Sequence, residues 1–286
     1  MFLYTYNSTE FAYSQKTNPD ILEWVLIGVP FDSTTTYLSG ARYGPKAIRE
    51  ASYNFEQYNI ILDKQIKNNF TDAGDIDIVP GNFQETAKRI RKTINEIQEQ
   101  KLKPITIGGE HTITLPIIQE ITNQPEELTV IHLDAHTDLR DTYMDEKETH
   151  ATVIRRVHEE NIKQLIQIGI RSSSLKETQY AKSQKNITQY TTQDVRTQLS
   201  QILEEIDKIT GPIYLTIDLD VLDASQAPSV GTPVPCGVYD YQIEKIITKI
   251  REKNIIGIDL VELASTTIGD ITSINAAKII LDFLSQ

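Results

Sequence analysis

Three apolar, β-prone runs in this chain each end in metal-ligand side chains, and no other feature restricts the possible fold as tightly. One run is Leu128-Thr129-Val130-Ile131-His132-Leu133, followed at once by Asp134-Ala135-His136-Thr137-Asp138. Side chains alternate faces along a strand, so the same period carried past Leu133 sends Asp134, His136 and Asp138 to one side. Two carboxylates and an imidazole gathered there repel one another unless a cation sits among them. Taken alone, the segment fits a solvated acidic turn equally well. Pro212-Ile213-Tyr214-Leu215-Thr216-Ile217 then delivers Asp218-Leu219-Asp220, with its two aspartates on a shared face. Lys103-Pro104-Ile105-Thr106-Ile107 runs into Gly108-Gly109-Glu110-His111, where paired glycines permit a tight turn and bring His111 above the sheet. Ligands of open parallel α/β sheets bind outside the carboxyl ends of the strands. Three strand ends bearing Asp or His therefore predict a metal site.

The rest of the chain supplies such a sheet. Trp24-Val25-Leu26-Ile27-Gly28-Val29 reads as the first core strand, with a Thr/Ser/Gly loop after it and Pro45 in the first turn of a short helix, 46–51. A weaker strand spans 70–76, and Ile90, Ile94 and Ile97 give 85–100 one apolar helical face. Helices are predicted at 115–121, 151–160, 197–209, 240–252 and 274–284, and a short one follows strand 165–170. Further strands are predicted at 187–190, 213–218 and 255–260. This alternation predicts an α/β fold: a single three-layer α/β/α domain over 1–286, its central, mostly parallel sheet having about eight strands.

Composition excludes several functions. A formal charge of −12 argues against a nucleic-acid surface and is compatible with cationic substrates or metal ions. Cys236 is the sole cysteine, so an intramolecular disulfide is excluded and a reducing cytoplasm fits. No basic-then-apolar leader is evident, and no run approaches the ~20 apolar residues that span a membrane. A soluble cytoplasmic protein without membrane or nucleic-acid partners is expected.

The candidate ligands outnumber the needs of one ion. Asp134, Asp138, Asp218 and Asp220 offset the charge of two divalent cations, and hard oxygen donors mixed with imidazole favour manganese over zinc. Two ions sharing a water lower its pKa toward neutrality, which makes a hydroxide nucleophile without any nucleophilic side chain. Such a site suits hydrolysis.

In six ordered segments the chain resembles the ureohydrolase family, arginase, agmatinase and their relatives, over nearly its whole length. These are Gly28-Val-Pro-Phe-Asp32 with Ser39-Gly-Ala-Arg-Tyr-Gly-Pro45, Gly-Gly-Glu-His111, Asp134-Ala-His136-Thr-Asp138, Asp218-Leu-Asp220, Gly231-Thr-Pro233 and Asp259-Leu-Val-Glu262. The resemblance implies an arginase-like fold with two manganese ions per subunit. His111 and Asp138 would hold one ion, His136 and Asp220 the other, and Asp134 and Asp218 would bridge them. Asp138 would also steady the hydroxide, Glu262 would pair with the substrate guanidinium, and His150 would shuttle the proton. His132 is expected to be a core or supporting residue and His158 a helix-surface one. Glu110 replaces the family's usual Asp before the ligand histidine, Ala151 a Gly after His150, and Ala224 a Pro after Asp223, while Ser229-Val230 stands for a common Gly-Thr; none removes a ligand.

The resemblance further implies a small cationic guanidino substrate and a homo-oligomer, a trimer or hexamer. Loop 139–149 is acidic and lacks the arginase pattern, and Gln167-Ile-Gly-Ile-Arg171 resembles microbial and archaeal agmatinase-like members. Agmatine, hydrolysed to putrescine and urea, is the expected substrate. Alternatives within the family are guanidinobutyrase, guanidinopropionase, arginase and formimidoylglutamase. A mononuclear zinc deacetylase would need a paired-histidine motif, and a non-enzymatic homologue would be expected to have lost a ligand.

Overall fold

The computed structural model describes residues 2–6, 9–16, 19–122 and 125–285. Its strands are β1 (Thr5–Tyr6), β2 (Trp24–Val29), β3 (Tyr58–Asn59), β4 (Lys64–Gln65), β5 (Phe70–Ile76), β6 (Lys103–Gly108), β7 (Thr129–Leu133), β8 (Gln164–Ile170), β9 (Ile187–Thr191), β10 (Ile213–Asp218) and β11 (Ile255–Val261). The helices are α1 (Gly44–Ser52), α2 (Phe83–Glu99), α3 (Thr114–Ile121), α4 (Val153–Glu159), α5 (Leu175–Ser183), α6 (Thr192–Lys208), α7 (Asp240–Ile250) and α8 (Ile271–Leu284).

Nine strands form the main sheet in the order β1-β5-β2-β6-β11-β10-β7-β8-β9, all parallel except β1, and β3 pairs with β4 separately. The expected count of about eight omits β1, which pairs antiparallel with β5 through two residues only, too few to give a sequence pattern. Both faces are covered. Along β2, Trp24 and Leu26 face one core with α1, α6, α7 and α8, while Val25, Ile27 and Val29 face the other with α2, α3 and α4. A strand buried on both sides must be apolar throughout, which explains why these runs show no polar alternation.

Two expectations need correction. Helix α6 begins at Thr192 rather than 197, because Thr191 and Asp194 close a reciprocal capping box, and non-helical backbone at Gln198 bends the helix where the sequence pattern begins. His158 is buried rather than on a surface; its ring lies between the Tyr180 hydroxyl at 2.6 Å and Asn186 Oδ1 at 3.0 Å. No helix among the described residues is long and apolar enough to cross a membrane.

The consequence for function lies in the middle of the sheet. Strands β6, β11, β10 and β7 are neighbours, and Thr216 on β10 stands beside Asp259 on one side and His132 on the other. Their carboxyl ends therefore open onto one crevice.

Candidate metal centre

Strand β7 ends at Leu133, so Asp134 to Asp138 do not continue the strand as its period suggests. They form a loop tied by an isolated β-bridge from His136 to Ser172, two residues past the end of β8. The segment still converges because Asp138 adopts a left-handed backbone, φ 50°. Glu262, one residue past β11, does the same at φ 68°. Left-handed carboxylate residues cost energy and persist where the surroundings hold them. The paired glycines act by contact. An ideal Cβ on Gly109 would lie 1.8 Å from the Phe31 carbonyl oxygen, so only glycine lets the backbone pass and bring His111 inward.

His111 is aimed by hydrogen bonds. The Thr216 hydroxyl donates to Asp259 Oδ1 at 2.6 Å, so its oxygen accepts from His111 Nε2 at 2.9 Å. Tyr214 and Thr114 also donate to Asp259, at 2.6 and 2.9 Å. With the imidazole hydrogen on Nε2, Nδ1 presents a lone pair. That nitrogen is buried without a hydrogen-bond partner, 3.3 Å from both Asp134 Oδ2 and Asp138 Oδ2 and 3.5 Å from Asp218 Oδ2. An orphaned imidazole nitrogen among three carboxylates fits a cation.

A second cluster joins His136 Nδ1 to Asp220 Oδ2 at 2.8 Å and to Asp134 Oδ1 at 3.6 Å. Asp134 is common to both. His132 also approaches Asp134 Oδ2, at 2.7 Å, yet its other nitrogen accepts from Gln167 at 2.9 Å, so it supports the aspartate by donating to it. Asp218 receives the Asp220 amide at 2.8 Å and Asp220 that of Ala135 at 3.0 Å, which orients both carboxylates.

The electrostatics call for positive charge. Burial and the surrounding carboxylates push Asp138, Asp218 and Asp220 above the ordinary range, Asp218 strongly. Burial opposes charge on Asp134 as well, but the imidazoles of His132, His111 and His136 hold its carboxyl well below that range. Against its own burial, His136 is pushed up to about 12 by Asp220 and Asp134. Cations in the two clusters would relieve the same repulsion without protons.

Glu262 and His150 border the same cavity, about 300 Å³ in volume, together with His136, Asp138 and Asp218. Burial and the Glu110 charge push the Glu262 carboxyl up to about 8. Burial, and the positive charge that His111 and His136 carry when protonated in the cation-free protein, push His150 down to about 4. The structure thus brings together all eight site residues picked from the sequence.

Residues 22–285 match the arginase family. The chain belongs to that family. The N(1)-aminopropylagmatine ureohydrolase of Thermococcus kodakarensis is 37% identical, over 98% of this chain and 95% of that one. The agmatinase of Pyrococcus horikoshii is 34% identical, over 98% and 97%. Among solved structures, the agmatine ureohydrolase of Thermoplasma volcanium superimposes with a TM-score of 0.87 at 28% identity, covering 98% of this chain and 94% of that one. As an arginase-family enzyme the chain is a hydrolase acting on C–N bonds of linear amidines. The family's centre is dinuclear, and two buried Asp/His clusters sharing Asp134 fit that number.

Beyond these residues, the arginase-family cavity has a mouth that the sequence did not disclose. Loop 139–149 contributes Arg140 and Tyr143 to its lining and none of its carboxylates. Asp141 instead pairs with Arg156 at 3.0 Å, Glu148 with Gln84, and Asp145 and Glu146 are exposed. The acidity of this loop therefore does not reach the substrate side. Across from it stand Ser172, Ser173, Ser174 and Glu177. Glu177 is buried, accepting from the Thr137 hydroxyl at 2.8 Å and the Ser174 amide at 2.9 Å, and lies 3.6 Å from Arg140 Nε. The capping box Ser174-x-x-Glu177 was the available signal. Thr216 carried no signal, because a threonine in a strand is ordinary.

Proposed function

We propose that the chain is an agmatinase-type ureohydrolase that uses two manganese ions to hydrolyse the guanidinium group of agmatine to putrescine and urea. The observation that carries this reading is the joining of two Asp/His clusters through the buried Asp134, beneath a cavity lined by His136, Asp138, Glu262 and His150. His111 and Asp138 would hold one ion, His136 and Asp220 the other, with Asp134 and Asp218 shared. Carboxylate oxygens mixed with imidazole favour manganese. When bound, the ions supply Lewis acidity and a water made acidic near neutral pH.

The protein's own groups do the rest. Glu262 Oε1 is occupied by the His111 amide at 2.7 Å, which leaves Oε2 for the planar donors of a guanidinium. An ideal Cβ on Gly231 would lie 3.2 Å from that oxygen, so glycine keeps the approach open. His150 carries the proton to the departing amine; being neutral at pH 7, it is able to take one up first. Asp138, on the same wall, orients the attacking water.

Agmatine is favoured by the names of the Pyrococcus and Thermoplasma relatives and by Glu177, which supplies a carboxylate beyond the metal floor. One observation favours a second reading. Arg140 at the mouth suits a tail carboxylate, as in 4-guanidinobutyrate, although Glu177 offsets its charge. Urea release measured across agmatine, N(1)-aminopropylagmatine, arginine and 4-guanidinobutyrate separates these readings. The highest kcat/KM is expected with agmatine, and preference for arginine or 4-guanidinobutyrate would sink the assignment. In the same reading the enzyme works in the cytoplasm as a trimer or hexamer and supplies putrescine for polyamine synthesis; the lone cysteine is compatible with that compartment.

A further inference from the structure

Glu110 precedes His111 and is fully buried, yet it belongs to neither of the two Asp/His clusters. Its Oε2 accepts the amides of Ser33 and Thr34, both at 2.7 Å. Its Oε1 accepts the hydroxyls of Thr112 at 2.7 Å and Thr34 at 2.8 Å. A hydroxyl has one hydrogen and two lone pairs. The single hydrogen of Thr34 is thus committed to Glu110, and its oxygen can only accept from other partners. One is the His150 amide at 3.1 Å; the other is His150 Nδ1 at 3.0 Å. Nδ1 must then carry the imidazole hydrogen, and Nε2 keeps the lone pair. The Tyr143 ring, centred 5.6 Å from the imidazole and nearly perpendicular to it, packs against it as well.

We propose that Thr34, locked by Glu110, is a positioning residue that fixes His150 in the tautomer whose Nε2 is free to accept a proton. The proposal rests on the reading of His150 as proton carrier and adds what sets its state. A one-carbon-longer acid at position 110 is what spans to Thr34 while also serving Thr112, so the departure from Asp at this position has a structural use. The arrangement parallels Asp259-Thr216-His111 with the opposite outcome: there the hydroxyl takes the Nε2 hydrogen and frees Nδ1.

The test compares Thr34→Val, which keeps the shape and loses the hydroxyl, with Thr34→Ser, which restores it, and with His150→Asn. All are assayed as manganese-loaded enzyme with agmatine, or with whichever substrate the panel ranks first. Thr34→Val is expected to lose about ten- to a hundred-fold in kcat, KM changing by less than about two-fold. Bound manganese per chain should not change. Thr34→Ser should recover kcat to within about three-fold of the native enzyme, because only the hydroxyl is required. Native kcat in Thr34→Val with a crippled His150→Asn would overturn the positioning role and leave His150 as carrier. Equal damage in the Ser and Val variants would also overturn it, by assigning the loss to packing. Undiminished activity in His150→Asn would overturn the carrier reading, and this inference with it. Should Thr34→Val not fold, Thr34→Ala carries the same comparison.

Discussion

Beneath the cavity His111 and Asp134 are each held from behind by a partner that is itself held, whereas at the mouth the side chains hold mainly one another. His111 leans on Thr216 and Thr216 on Asp259; Asp134 is supported by His132 and His132 by Gln167. These groups are buried at the carboxyl ends of four adjacent strands. At the mouth, Arg140 is 44% exposed, stacks on Tyr143, and faces Glu177 at 3.6 Å, while Tyr143 shares a 3.1 Å hydrogen bond with Thr36. A braced floor suits chemistry that tolerates little displacement, and a looser rim lets substrate choice vary without disturbing it. That contrast makes the two regions answer differently to mutation.

The largest effect is expected on the floor. Asp134→Ala removes the ligand common to both clusters, so urea release should vanish and bound manganese should fall to at most about one ion per chain. Elemental analysis and the urea assay check this together, and retained turnover would exclude the shared role. Next comes the bracing behind the floor. Asp259→Asn leaves every direct ligand in place but loosens Thr216 and His111, and metal affinity should weaken by about 10- to 100-fold in a manganese titration of the chelator-stripped protein. An unchanged affinity would mean the floor does not need its support.

Changes at the mouth should be milder and selective. Arg140→Ala removes one partly screened charge, so the ratio of kcat/KM for agmatine to that for 4-guanidinobutyrate should rise by about ten-fold or less, with kcat for agmatine preserved. A large loss of kcat would show that the mouth is part of the machinery after all. The smallest effect concerns pH. In the cation-free protein His150 is held down from 6.5 to about 4 by burial and by the nearby His111 and His136 when these are protonated. Between those values the unfolded chain binds a proton that the folded one refuses, so stability falls as pH drops from 6.5 toward 4. The melting temperature of His150→Asn should decline less over that window; parallel declines would show that His150 does not contribute.

Legibility from sequence followed the same division. The floor could be read because its residues sit at fixed offsets from apolar strands, and a strand end has few directions to point. Even so, Asp134, His136 and Asp138 meet through a loop and a left-handed residue rather than by continued alternation. The mouth was less legible. Loop 139–149 is acidic in composition, but Arg156 and Gln84 engage two of its carboxylates and the others are exposed. Composition counts charges without saying where they point. His158 was misplaced for a related reason: Tyr180 and Asn186, its partners, come from later segments.

By itself the sequence determined the parallel α/β sheet, the Asp and His side chains gathered at its strand ends, and the order of segments that places the chain in the arginase family. These follow from local pattern, since apolar period and strand-end residue type are properties of short stretches. Tertiary structure alone decided which nitrogen of His111 and of His150 is free. Thr216 lies 105 residues from His111 and Thr34 lies 116 from His150, and no local pattern links residues so far apart. Two hydroxyls, each committed to a buried carboxylate, set one imidazole to face the metal clusters and the other to face the cavity.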